Sequence, residues 1–64
     1  MKTENVRANL GRTVIFDNSK YMLSAMICRR KGNEYYYQVE LQDKCNRSIV
    51  ITTPDKIELE DMYG

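Results

Sequence analysis

Three cations, Arg29, Arg30 and Lys31, lead into Gly32-Asn33, and Tyr35, Tyr36 and Tyr37 follow across that turn. Cations for phosphates beside flat rings for bases are what binding a single-stranded nucleic acid requires. Arg29, Arg30, Lys31, Arg47 and Tyr36 therefore form one candidate contact surface. Neutralising about three phosphates gives only weak binding that falls as salt rises. The same charges also suit a solvated hairpin tip that resists edge-to-edge aggregation.

Catalysis has less to work with. The chain contains no histidine, so Ser19, Ser24 and Ser48 lack the usual base that activates a hydroxyl. Cys28 and Cys45 lack one as well, and without a CxxC spacing or a histidine they supply too few ligands for zinc. Asp55, Glu58, Glu60 and Asp61 make an acidic C-terminal edge, either a solubilising rim or a phosphate mimic for a basic partner. Nothing in these positions suggests a buried carboxylate tuned for acid–base work. The reading is no enzyme, no metal and no cofactor.

Strands must position these residues. Arg12–Asp17 (RTVIFD) is β-branched and aromatic, and Asp17-Asn18-Ser19-Lys20 is turn chemistry. A two-residue loop at Asn18-Ser19 sets Phe16 opposite Tyr21 and Val14 opposite Leu23. The second strand, Tyr21–Arg30, alternates Tyr21, Leu23, Ala25 and Ile27 against Met22, Ser24, Met26 and Cys28. The third, Tyr35–Asp43, alternates Tyr35, Tyr37, Val39 and Leu41 against the solvated set Tyr36, Gln38, Glu40 and Gln42. A two-residue loop at Gly32-Asn33 would pair Ile27 with Gln38 and oppose the two apolar faces. A three-residue loop, Lys31-Gly32-Asn33, pairs Ile27 with Tyr37, Ala25 with Val39 and Leu23 with Leu41, and is expected here. The fourth strand is Ser48–Thr52, whose Ile49, Val50 and Ile51 leave its inward face open. Thr53 caps a helical turn that starts at Pro54, and Ile57–Glu60 forms a short fifth strand. Residues 1–10 read either as a short helical turn or as a loose lead.

In that register Tyr36 lies opposite Cys28, beside Met26. Met22, Met26, Cys28 and Tyr36 then form an apolar strip on the outside of the long hairpin, with Arg29 and Arg30 at its rim. Such adaptable apolar strips serve as contact sites, unless the N-terminal segment folds across this one. Tyr37 is expected in the core and Tyr35 over one end of it.

Leu10-Gly11-Arg12-Thr13-Val14, the long hairpin 21–43 and Pro54-Asp55-Lys56-Ile57 follow in an order that resembles the Src-homology-3-like small barrels, Tudor and KOW modules among them. The resemblance covers roughly residues 10–60 and implies a closed, all-β, five-stranded antiparallel barrel with a one-turn helix before the last strand. The chain departs from the peptide-binding members in having no tryptophan. Its tyrosines cluster on one strand, where an aromatic cage for methyl-lysine would draw on several. The chain also resembles small accessory proteins of bacterial phages and mobile elements, which implies a host protein as partner, for instance a defence nuclease that it inhibits.

Sixty-four residues, 42% of them apolar, make one domain with a thin core, better suited to surface binding than to a deep cleft. Net charge is +1, but residues 1–31 hold seven basic and two acidic groups and residues 32–64 three basic and seven acidic ones. Nucleic-acid modules more often carry a clear positive excess, so a protein partner is expected ahead of nucleic acid. Self-association through the hairpin or an unclosed strand edge is compatible with either. The N-terminus, MKTENVRANL, has no apolar run of a signal peptide, and no stretch reaches the roughly 20 apolar residues of a membrane span. Free thiols in a reducing cytoplasm are the expected state of both cysteines.

Overall fold

Asp17 and Asn18 adopt φ of 51° and 62°, the two consecutive left-handed positions of a type I′ hairpin. Such a turn favours Asp and Asn, which tolerate that region better than Ser19 would. The first loop is therefore Asp17-Asn18, one residue before the expected Asn18-Ser19, and Val14 faces Tyr21 while Phe16 faces Ser19. Phe16 still meets Tyr21, diagonally and edge to face, with ring centroids 6.0 Å apart.

The computed structural model describes residues 1–62. Its strands are β1 (Thr13–Phe16), β2 (Ser19–Lys31), β3 (Glu34–Gln42), β4 (Ile49–Thr52) and β5 (Glu58–Leu59). A single α-turn, α1 (Thr3–Val6), precedes them and runs into a 3-10 turn at Arg7–Asn9. Further 3-10 turns occupy Pro54–Lys56 and Glu60–Met62. Pro54 takes the first helical position, as its fixed φ and missing N–H favour. Thr53 stands at the cap in extended conformation without a side-chain capping bond.

All five strands join in one antiparallel sheet of order β4-β3-β2-β1-β5. The closed barrel that the sequence implies is not formed: no β4–β5 ladder joins the ends of the sheet among the described residues. The two residues of β5 are used on β1, pairing with Val14 and Ile15. Helical turns lie over the core face of the sheet. Val6 from α1 and Ile57 after the Pro54–Lys56 turn are fully buried with Val14, Leu23, Val39 and Leu41. The N-terminal ammonium fastens this cover, donating to the carbonyls of Pro54 at 2.8 Å and Ile57 at 2.7 Å. Residues 1–10 thus pack on the core through Val6 and Met1, with most of their other side chains exposed.

The longest hairpin departs most from expectation. Its loop is the two-residue Gly32-Asn33, with Gly32 alone at positive φ, 62°, as in a type II′ turn. Ile27 accordingly faces Gln38, yet Leu23 also faces Leu41. Both hold because the register shifts by one between Leu23 and Ala25, where Ser24 forms a β-bulge. Of the three expected pairs only Leu23 with Leu41 forms, and Ala25 faces Glu40 where Val39 was expected, because the extra residue sits mid-strand instead of in the turn. Past the bulge Met26 pairs with Val39 and packs on the core, while Ala25 and Ile27 turn to the other face. On β4, Val50 pairs with Leu41 and faces the core, leaving Ile49 and Ile51 exposed on the outer face.

Candidate binding arm

Beyond Met26 and Val39 the β2–β3 ladder outruns its neighbours, because β1 and β4 have only four residues each. From Cys28 to Tyr37 every residue is exposed, and this free ribbon rises about 13 Å at the usual spacing per strand residue. It helps stretch the molecule to 37 Å along its longest axis, against 24 and 19 Å.

Pairing across the ribbon gives each face one arginine and one tyrosine in register. Arg29 faces Tyr36 on the outer face, with Lys31 and Glu34 toward the tip. Cys28 faces Tyr37 and Arg30 faces Tyr35 on the other, which continues the core face. Arg29 donates its Nε to Gln38 Oε1, and Arg30 donates its Nε to the Gly32 carbonyl at 2.8 Å. These bonds hold each guanidinium by one corner while its terminal nitrogens stay free for a partner. Neither ion pair among the described residues involves the arm.

Several expected placements change. The bulge at Ser24 breaks up the strip of Met22, Met26, Cys28 and Tyr36. Met22 and Tyr36 occupy the outer face and Met26 and Cys28 the core face, and Tyr36 lies opposite Arg29, not Cys28. Met26 borders a shallow cleft with Thr3, Glu4, Arg7 and Tyr37, so the N-terminal segment does fold beside that part of the strip. Tyr37 is 38% exposed and Tyr35 65%, so neither fills the core or closes its end. Arg47 lies in the β3–β4 connection at the opposite end of β3, about 30 Å from the tip by strand rise. It cannot join Arg29, Arg30 and Lys31 in one small contact.

The acidic C-terminal edge is partly neutralised within the fold: Glu60 meets Lys20 at 2.6 Å and Asp61 meets Arg12 at 3.8 Å. The Lys20 ammonium holds the Glu60 carboxyl below its ordinary value, and a hydrogen bond from the Thr53 hydroxyl does the same for Asp55. Both shifts stabilise ordinary carboxylates; neither makes a proton donor at neutral pH. Cys28 and Cys45 are free, exposed thiols. No group of three or more acidic or thiol side chains converges among the described residues. None of their helices is long and apolar enough to cross a membrane.

Sequence reasoning missed the exposure of Tyr35 and Tyr37 and the outward pair Ile49 and Ile51. A signal for the arm was present: a hairpin of two long strands flanked by two short ones must end beyond the core they share. No family model, no curated protein and no solved structure matches this chain.

Proposed function

We propose that this protein is a non-catalytic binding module that works by protein–protein contact through the β2–β3 arm. The observation that carries this reading is the exposure of Tyr35, Tyr36 and Tyr37 beside Arg29 and Arg30, whose terminal nitrogens have no partner. Tyrosine and arginine are the side chains most enriched at interfaces and at their energetic centres, since each combines area with few or fixed hydrogen bonds. Cys28 and Met26 extend that surface toward the body, and Met22 lies behind it on the outer face. The same proposal takes the sheet as an Src-homology-3-like small barrel left open between β4 and β5; its strand order and the 3-10 turn before β5 support that reading. It extends to a mobile-element accessory protein that inhibits a host defence protein, for which small size and near-neutral charge are the support.

Affinity capture from a cell lysate, with the native chain and a Tyr35→Ala/Tyr36→Ala variant of equal stability, tests the contact. A protein retained by the first and lost by the second is the expected result. Equal retention by both sinks the reading.

Nucleic acid is the second reading, favoured by the cross-strand arginine–tyrosine pair on each face of a ribbon narrow enough for a DNA major groove. It predicts anisotropy changes with labelled single- or double-stranded oligonucleotides that fall steeply with salt and vanish on Arg29→Glu/Arg30→Glu. Binding that ignores salt would exclude it.

A further inference from the structure

The two edges of the sheet are unlike. β5 exposes only two residues, one of them Glu58, and Glu60 follows at once. Short length and charge are the usual protection of a sheet edge. β4 is twice as long and lacks the charge: Ile49-Val50-Ile51-Thr52 carries neither a charged residue nor proline.

The main chain of β4 has a definite polarity. Asp43 N–H donates to the Ser48 carbonyl at 2.9 Å, which makes this a hydrogen-bonded pair of the β3–β4 ladder. Bonded and non-bonded pairs alternate between antiparallel strands. Leu41 with Val50 and Val39 with Thr52 are then the bonded pairs, in the observed register. Ile49 and Ile51 therefore direct their N–H and C=O groups away from β3, off the open edge. Ile49 and Ile51 are 50% and 44% exposed, with their side chains on the outer face, and Val50 is half-buried on the other.

We propose that β4 pairs with β4 of a second copy of this chain, antiparallel, about a two-fold axis through Val50. The edge is self-complementary in that register. Ile49 of one copy faces Ile51 of the other, and each such pair exchanges two main-chain hydrogen bonds. The outer face gains a cluster of four isoleucines across the dyad. On the core face the two valines meet and extend the apolar layer from Leu41 through Val50 into the other copy. The result is one continuous ten-stranded sheet. Four residues per edge cover less area than the interfaces of about 1,200 Å² or more that bind tightly, so the dimer is a weak, concentration-dependent one. The arm takes no part, so this inference stands apart from the proposed function.

Sedimentation velocity over about 10 µM to 1 mM tests it, a range set by the micromolar-to-millimolar affinity of small interfaces. The mass should rise from 7.6 kDa toward twice that value. Ile51→Lys, at an exposed site that leaves the monomer folded by circular dichroism, should weaken the dimer at least tenfold, and Tyr36→Ala should not change it. The register has its own readout, in a chain with Cys28 and Cys45 replaced by serine. Val50→Cys should cross-link on mild oxidation, since non-bonded pairs bring Cα atoms to about 4.5 Å, within disulfide range. Ile51→Cys, whose counterpart lies two residues out of register, should cross-link at least tenfold more slowly. A monomer throughout, a dimer indifferent to Ile51→Lys, a dimer lost with Tyr36→Ala, or equal cross-linking at both cysteines would overturn the proposal.

Discussion

The Ser24 hydroxyl lies 2.7 Å from Glu40 Oε2 and 3.0 Å from the Glu40 carbonyl, sharing its single hydrogen between them. Glu40 is the residue that faces Ala25, immediately past the place where Ser24 has no partner in β3. A bulge leaves backbone polar groups off the ladder and bends its strand. Here the side chain of the bulged residue ties that strand to its neighbour at the distortion. Leu23, just before it, is held on the other side through bonds with Gly11 N–H and the Arg12 carbonyl at 2.8 and 2.9 Å.

Ser24→Ala should therefore lower stability by about 1 kcal/mol, the usual net worth of a side-chain hydrogen bond. In a chain this small that corresponds to a fall in Tm of roughly 4–8 °C. Urea denaturation of Ser24→Ala, Glu40→Ala and the double variant measures the coupling of the two side chains. Strictly additive losses would mean that the bond contributes nothing.

Val6→Ala tests whether the first residues belong to the fold. Val6 is fully buried although it lies on a four-residue helical turn that could not persist alone. Losing two buried methyls and leaving a cavity should cost about 2 kcal/mol, a large share of what a core of this size supplies. An unchanged urea midpoint would detach α1 from the core.

Gly32→Ala isolates a purely conformational cost. A Cβ at Gly32 would meet nothing within 4 Å, yet its φ of 62° lies where side-chain-bearing residues are strained. The expected loss is about 1 kcal/mol, with Asn at this position milder than Ala because it tolerates the left-handed region. Equal stability of the glycine and alanine chains would show that the turn can adopt another form.

The Glu60 carboxyl should titrate below its ordinary value, first because Lys20 donates to it and then through the charge of that ammonium. Its contribution to stability is fully present above the unfolded-state value and fades as pH falls through the lower folded-state one. Both groups are exposed, so the effect on stability is small and screened by salt. Carbon-detected NMR titration should show the Glu60 midpoint rising in Lys20→Met and, in the native chain, in about 1 M salt. A midpoint that moves in neither case would deny the pair.

Much of this fold was legible. The run Tyr35–Asp43 alternates cleanly, and the structure buries Val39 and Leu41 while turning Tyr36, Gln38 and Glu40 to the other face. The turn chemistry around residues 17–20 and 31–33 and at Pro54 marks where the chain reverses, although the loops are Asp17-Asn18 and Gly32-Asn33 and not Asn18-Ser19 and Lys31-Gly32-Asn33. The bulge was not legible. In Tyr21–Cys28 both alternating sets are largely apolar, so either could face inward, and Ser24 and Ala25 are small enough to allow a change of phase. The candidate strip fell with that phase: reading the offset into the turn placed Met26 and Cys28 beside Tyr36, and the bulge put them on the opposite face.

Local residue types determined where this chain forms strands and where it turns, because alternation, left-handed φ and proline act over a few neighbouring residues. Tertiary structure decided what depends on groups far apart in sequence. Val6 must meet Leu41 to be core, and the Met1 ammonium must reach Pro54 and Ile57 to hold the cover in place. The inward face of Ile49–Ile51 waits on β3, and the open side of the sheet on β5 pairing with β1. The arm is a consequence of length: β2 and β3 pair beyond the point where any other element remains to bury them.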